Sequence, residues 1–347
     1  MIIFLQESHC KDDLMPFTTF RHTCDIRVGM LTIREKWSIL FPDAEIVDVH
    51  PNEKENVIEV PANIIPTKAD AQLILSHYSS NSIDVSSKHT FNTLKYPWEI
   101  FQWGDSASRS DYTLLKGARV KTTDEFPAIQ IGNQIFIEEG AKISHCTLNS
   151  ETGPIFISLG AQIMEGANIR GPFFMGKEAV VKMGARIYGA TSIGNRTVVG
   201  GELKNAVILD HSQKAHDGYL GDSVIGSWCN IGAGTSNSNV KNTFGEIFFL
   251  TKQGEHKISA GTKAGLIMGD YSKCAINSSF YTGTFVGVCC NLFGSEIHDR
   301  YVSDFTWGKS KYDLEKLILH INQWRLNTGN SVLDSNEIEK IKNAYQQ

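Results

Sequence analysis

The chain has 347 residues, 41% of them hydrophobic and 20% charged, with a formal net charge of −5. The apolar content suffices for a packed core, and the absence of a basic excess argues against a nucleic-acid binder. No apolar run approaches the roughly 18 residues of a membrane span, which predicts a protein free of the membrane.

The first residues, MIIFL, are too short and lack the basic start of a signal peptide, and they read as a buried first strand. The seven cysteines are odd in number and contain no CxxC pair, which predicts a reducing cytoplasm without disulfides or structural zinc. Glycine then divides the chain. Residues 1–103 hold one of the 30 glycines, Gly29, and six of the nine prolines. Short apolar runs (Ile2–Leu5, Ile46–Val49) and a helical pattern around Leu31–Leu40 make this a small α/β domain. Residues 104–118 form the junction, preceded by the aromatic stretch Trp98, Phe101 and Trp103.

Residues 119–307 carry an internal repeat. Positions 157, 163, 169, 175, 181, 187, 193 and 199 read Ile, Ile, Ile, Met, Val, Ile, Ile, Val. Shorter runs in the same step are Ile131, Ile137, Ile143, then Tyr219, Ile225, Ile231, then Met268, Cys274, Phe280, Val286 and Leu292. A spacing of six matches neither a helix face nor an alternating strand. It fits a parallel β-helix of short strands joined at tight corners, with the aliphatic residue inward and small residues at the turns. The register breaks at 144–156, 205–218 and 241–262 predict loops leaving the coil, where function usually resides. Residues 308–347 return to helical spacing (Leu314, Leu317, Ile318, Ile321), and Asp334 with Glu337 makes a capping box for a last helix. A helical cap closing the solenoid is expected, with Lys309, Lys311 and Lys316 on a solvated face.

Titratable groups concentrate in Glu202–Val240: Glu202, Lys204, His211, Lys214, His216, Asp217, Asp222, Asn230 and Asn239. His216 is a candidate general base, since an imidazole titrates near neutrality. A lone histidine is more often structural than catalytic. His211 and His216 could suggest a metal pair, but no further ligands follow at useful spacing, so no metal is expected.

The run KAHDGYLGDSVIGSWCNIGAGT resembles the acetyltransferase domain of the GlmU family, whose pattern is K-A-G-H-x-x-Y-L-G-D-x-x-I-G-x-x-x-N-I-G-A-G-T. The glycine before the histidine is absent here. The resemblance implies a left-handed hexapeptide β-helix over most of residues 120–300, assembled as a homotrimer with sites between subunits. It implies acetyl-CoA as co-substrate and an amino-sugar phosphate such as glucosamine 1-phosphate as acceptor. His216 matches the family's catalytic base and Glu202 its supporting glutamate. Lys204 matches a phosphate-binding lysine, and Tyr219, Asn230 and Asn239 match sugar-holding positions. Val240 stands where the family has tyrosine. Arg186 has the separation from Lys204 expected of a phosphate-binding arginine, in a different local sequence. Coenzyme contacts are expected around Ala264–Lys273 without choosing residues.

Leu14–Trp37 resembles the start of sugar-1-phosphate nucleotidyltransferases, with Pro16-Phe17-Thr18 at the end of the G-x-G-T-R…P-L-T motif. The phosphate-cradling glycines are missing, and about 100 residues is short for such a domain. A degenerate domain kept for binding or assembly is therefore expected, with Arg21, Arg27 and Arg34 as anion contacts if a site survives. Mg²⁺ belongs only to a working nucleotidyltransferase. That activity, and a non-catalytic scaffold or sensor, are the alternatives to acetyl transfer.

Overall fold

A computed structural model describes residues 1–7, 9–51, 57–79, 91–119, 121, 125–251, 256–294 and 297–346. From residue 128 to 307 the chain winds about ten turns of a β-solenoid. Each turn lays one short strand on each of three faces, and parallel pairing carries every face along the stack. Arg186, Glu202 and Tyr219 are successive partners on the first face. On the second face Ile155 lies between Ile135 and Phe173, and on the third Ile163 lies between Ile143 and Val181. Most residues of the six-residue step point inward and form one continuous core from Ile135 to Val302, but Ile131 lies outside that core and Tyr219 faces outward, its neighbour Leu220 filling the inward position. Stacked coils thus bury each other's strand edges.

The corners from the second face to the third use residues with positive φ: Glu178, Arg196, His211, Trp228, Tyr271, Cys289 and Phe305. Ring stacking supports three of them, His211 on Trp228 at 4.0 Å and Trp228 on Tyr271 at 6.2 Å. Two of the predicted extruded loops are instead part of the coil. Residues 205–218 continue strand Glu202–Ile208, round a corner at Asn205, and contain strand Gln213–Lys214. Residues 144–156 contain strand Cys146–Asn149 and the start of Ile155–Ile157. The six-residue count slips there because corners differ in length, while the chain never leaves the stack. The segment 241–262 does leave it, as an antiparallel pair of strands Phe248–Thr251 and His256–Ser259.

The N-terminal residues form a parallel sheet with Ile2–Gln6 in the centre, between Glu45–Val47 and Val57–Pro61. Among the described residues four α-helices accompany it: α1 (Ile33–Leu40), α2 (Lys68–Ser79), α3 (Glu99–Gln102) and α4 (Gly104–Ala118). Thr32 and Glu35 close a capping box at the start of α1. This unit lies on the second face of the solenoid. The outward residues Val207, Val224, Ile267 and Phe285 join its core of Ile3, Leu5, Phe17 and Trp37. Further along, Phe136, Phe156 and Phe174 pack on Met30, Leu31, Tyr112 and Leu115. Trp98 is sandwiched between Tyr96 and Phe249, at 4.8 and 4.9 Å. The junction residues 104–118 are the single helix α4, laid against α1.

Polar contacts reinforce this seam. Arg21 grips Asp270 of the solenoid through both carboxylate oxygens, at 2.8 and 2.7 Å. Buried Arg27 lies over Phe174 and 3.8 Å from Asp210. The C-terminal helices α5 (Leu314–Asn327) and α6 (Ser335–Gln346) pack Leu317, Ile321 and Ile341 on Val288, Cys289 and Phe305. Asp334 and Glu337 exchange the two bonds of the expected capping box, at 2.8 and 3.0 Å.

Candidate functional site

His216 sits at the corner where the third face turns into the first, directly after strand Gln213–Lys214. Its side chain is exposed and, among the described residues, has no hydrogen-bond partner. The corner is tight. Gly218 has φ +123°, and a Cβ there would stand 2.0 Å from the Thr235 carbonyl oxygen, so only glycine fits two residues after the histidine. The Gly234 amide donates to the Asp217 carbonyl, stacking this corner on the next one.

Strands Arg186–Tyr188, Glu202–Ile208 and Tyr219–Ile225 place the remaining first-face candidates side by side. Alternation points Arg186, Tyr188, Glu202, Lys204 and Tyr219 outward, while Ile187, Leu203 and Leu220 fill the core. The Tyr188 hydroxyl donates to Glu202 Oε1 at 2.7 Å, and Arg186 Nε lies 3.7 Å from Oε2. Glu202 is thus held by Tyr188 and Arg186, and no hydrogen bond joins it to His216. Half-buried Lys204, in register with Tyr188 and Gly221, has no hydrogen bond or ion pair among the described residues.

Burial pushes the Tyr219 phenol well above its ordinary pKa, helped by the nearby charge of Asp222 and opposed by a hydrogen bond with Asn239. The phenol is therefore neutral at physiological pH and available as a donor or acceptor. Asp222 and Asn205 turn successive coils from the first face to the second, both with positive φ. Asp222 accepts from Asn205 Nδ2 at 2.7 Å and from Asn239 Nδ2 at 2.5 Å. Asn239 is thereby fixed within hydrogen-bonding reach of the Tyr219 phenol. Asn230 lies apart, on the third face in register with Gln213 and Lys273.

The residues proposed for other ligands are occupied. Arg34 binds Asp25 at 2.6 Å and Asp48 at 2.7 Å, so all three N-terminal arginines lie against carboxylates. In Ala264–Lys273, Ala264 and Ile267 are sealed beneath the N-terminal unit, and the Lys273 ammonium lies 4.3 Å over the Trp324 ring. His211 belongs to the ring stack at another corner. Among the described residues no group of three or more His, Cys, Asp or Glu could hold a metal ion, and no helix is long and apolar enough to cross a membrane.

What remains is a polar strip on one solenoid face. It has an accessible imidazole, an unpaired ammonium, a neutral phenol and a fixed amide. Such a set can accept a proton, receive an anion and hydrogen-bond a polyol.

No family model matches the chain. Among curated proteins it is 33% identical over 184 residues to the bifunctional protein GlmU of Methanococcus maripaludis, covering 52% of this chain and 44% of that protein. It is 32% identical over 106 residues to the Methanocaldococcus jannaschii bifunctional GlmU, covering 30% and 26%. A bifunctional sugar-1-phosphate nucleotidylyltransferase/acetyltransferase of Sulfurisphaera tokodaii is 31% identical over 101 residues, covering 29% and 25%. In the longest of these matches the chain is similar to a GlmU protein over 52% of its own length.

The chain spans less than half the length of these relatives. The solved Francisella novicida UDP-N-acetylglucosamine acyltransferase superposes with a TM-score of 0.33 at 11% identity, over 61% of this chain and 90% of that one. Against the GlmU-like reading of the sequence, the structure adds Tyr188, Asn205 and Asp222 to the strip. Tyr188 was discoverable, since one coil of sixteen residues separates it from Lys204. The Asn205–Asp222–Asn239 ladder was not, because corner lengths vary and the partners are 17 residues apart.

Proposed function

We propose that the chain is an acetyl-CoA-dependent N-acetyltransferase acting on an amino-sugar phosphate, with glucosamine 1-phosphate the first acceptor to test. The reading is carried by one observation: an accessible, unpartnered His216 at the corner leading into the face of Lys204 and Tyr219, within the segment that resembles GlmU. The neutral sugar amine attacks the thioester carbonyl of acetyl-CoA. As the C–N bond forms, His216 takes the amine proton. The C–S bond then breaks, and the imidazolium returns the proton to the departing thiolate. A general base contributes about 10²- to 10⁴-fold in such a step. Lys204 receives the phosphate as a point charge, and Tyr219 and Asn239 hold sugar hydroxyls. Glu202, oriented by Tyr188, supplies negative potential beside the phosphate lysine and favours the imidazolium. Because the strip is open to solvent in one chain, a neighbouring copy in a homotrimer completes the site and brings coenzyme contacts. Nucleotidyl transfer, and with it Mg²⁺, is the weaker reading, since Arg21, Arg27 and Arg34 face carboxylates of this chain.

The test is acetyl transfer to glucosamine 1-phosphate, read by mass spectrometry, with His216→Ala beside the wild type. A loss of at least about 10²-fold in kcat at an unchanged melting temperature is expected. Equal turnover by the variant would remove His216 from the mechanism. Absence of product from the wild type, across amino-sugar phosphates, would remove acetyl transfer.

A further inference from the structure

The inward position of the third face is aliphatic on the neighbouring coils, with Val181 and Val199 on one side and Ile231 on the other. Lys214 occupies that position at its own coil and is 1% exposed. A lysine inside a hydrophobic prism is a departure from the repeat that folding does not require, because the coils above and below close with valine and isoleucine. Its amine is used specifically. Nζ donates to the His216 carbonyl at 2.5 Å and to the Gly200 carbonyl at 3.2 Å. Those carbonyls belong to two successive corners, one bearing His216 and the other leading into Glu202. No carboxylate neutralises the group by direct contact among the described residues, and burial pushes its pKa down to about 8. Protonated or not, the amine retains the two N–H groups that the two carbonyls accept.

We infer that Lys214 is a positioning residue, whose buried amine ties the His216 corner to the preceding coil and so sets where the imidazole stands over the first face. The inference rests on the acetyl-transfer reading of His216. It explains why the least favourable residue for this core position sits two residues from the candidate base. The corner otherwise has a glycine at position 218 and an exposed Asp217, with little side-chain packing to hold it.

The test is Lys214→Met in the full chain, since methionine has similar length and suits the aliphatic position. Three readouts are taken together: melting temperature, kcat against KM for both substrates, and amide hydrogen exchange over residues 215–218. A melting temperature equal to or above wild type is expected, with kcat down by about ten- to a hundredfold, KM nearly unchanged and exchange at the corner accelerated. Lys214→Gln, which keeps an amide donor, recovers part of the loss and is the variant to measure if methionine impairs folding. Wild-type kcat together with wild-type exchange in the methionine variant would overturn the inference. So would a lower melting temperature with the kcat of the folded fraction intact, which is the signature of a purely structural lysine. If the wild type itself transfers no acetyl group, the catalytic role falls with the reading beneath it. Corner exchange then reports separately whether the amine holds the turn.

Discussion

Lys36 and Asp111 form an ion pair in which each side chain is 1% exposed, between α1 and α4. Burial pushes the lysine pKa down and the aspartate pKa up, and the opposite charge of each partner resists the shift. Asp111 also accepts from the Met30 and Leu31 amides at 2.9 and 3.2 Å, so its carboxylate organises the turn after Gly29. Gly29 itself has φ +77°, and a Cβ would come within 2.8 Å of Ala107. Removing one partner strands the other charge. Lys36→Met is therefore expected to lower the unfolding free energy by about 3–5 kcal/mol, read from the denaturant midpoint. A change below about 1 kcal/mol would show that the pair is dispensable there. The same scale separates what was readable in the candidate site. His216, Glu202, Lys204 and Tyr219 stand out as chemistry-bearing residues in a scaffold sequence. Their contacts do not. Nothing in the sequence says that Glu202 would bind Tyr188, or that Asn239 would be fixed by Asp222.

At the scale of elements, the inward six-residue step was legible because hydrophobic burial repeats it coil after coil. An outward row was equally present and harder to read. The middle residues of the second-face strands, including Phe136, Phe156, Phe174, Val224 and Ile267, are also apolar and buried. Strands buried on both sides read as continuous apolar runs, here IFI, FFM and LIM. The separations between these residues vary with corner length, so the row emerges only once the coils are aligned. Phe156 stacks on Phe136 at 4.9 Å and on Phe174 at 6.1 Å, under α4. Phe156→Ala is expected to cost about 3–5 kcal/mol, checked by thermal and denaturant unfolding. An effect as small as that of a surface substitution, within about 0.5 kcal/mol, would contradict a sealed seam.

The whole molecule depends on that seam. The N-terminal α/β unit and the solenoid share one hydrophobic cluster, and Arg21–Asp270 and Arg27–Asp210 cross the boundary. Residues 119–347 expressed alone would expose Phe136, Phe156, Phe174, Val224, Ile267 and Phe285 as one apolar stripe. The expected outcome is aggregation, or binding of a hydrophobic dye, where the full chain does neither. A monodisperse, dye-silent fragment with the full chain's melting temperature would show the N-terminal unit to be independent. That unit thus has a structural task even without a nucleotide site: it covers a face that the solenoid cannot leave in water.

By itself the sequence determined the solenoid, the α/β start, the helical end and the cluster of candidate chemical groups. Each follows from local periodicity or composition, which neighbours in the chain impose directly. Only the tertiary structure decided which breaks in the repeat are corners and which one leaves the coil, because that depends on pairing between residues 15 to 20 apart within the stack and 43 apart across the excursion. It also decided that the N-terminal arginines bind carboxylates, and that Lys214 points inward to the carbonyl of His216. A side chain's partner is set by the packing of remote segments, and that information appears only when the coils are stacked.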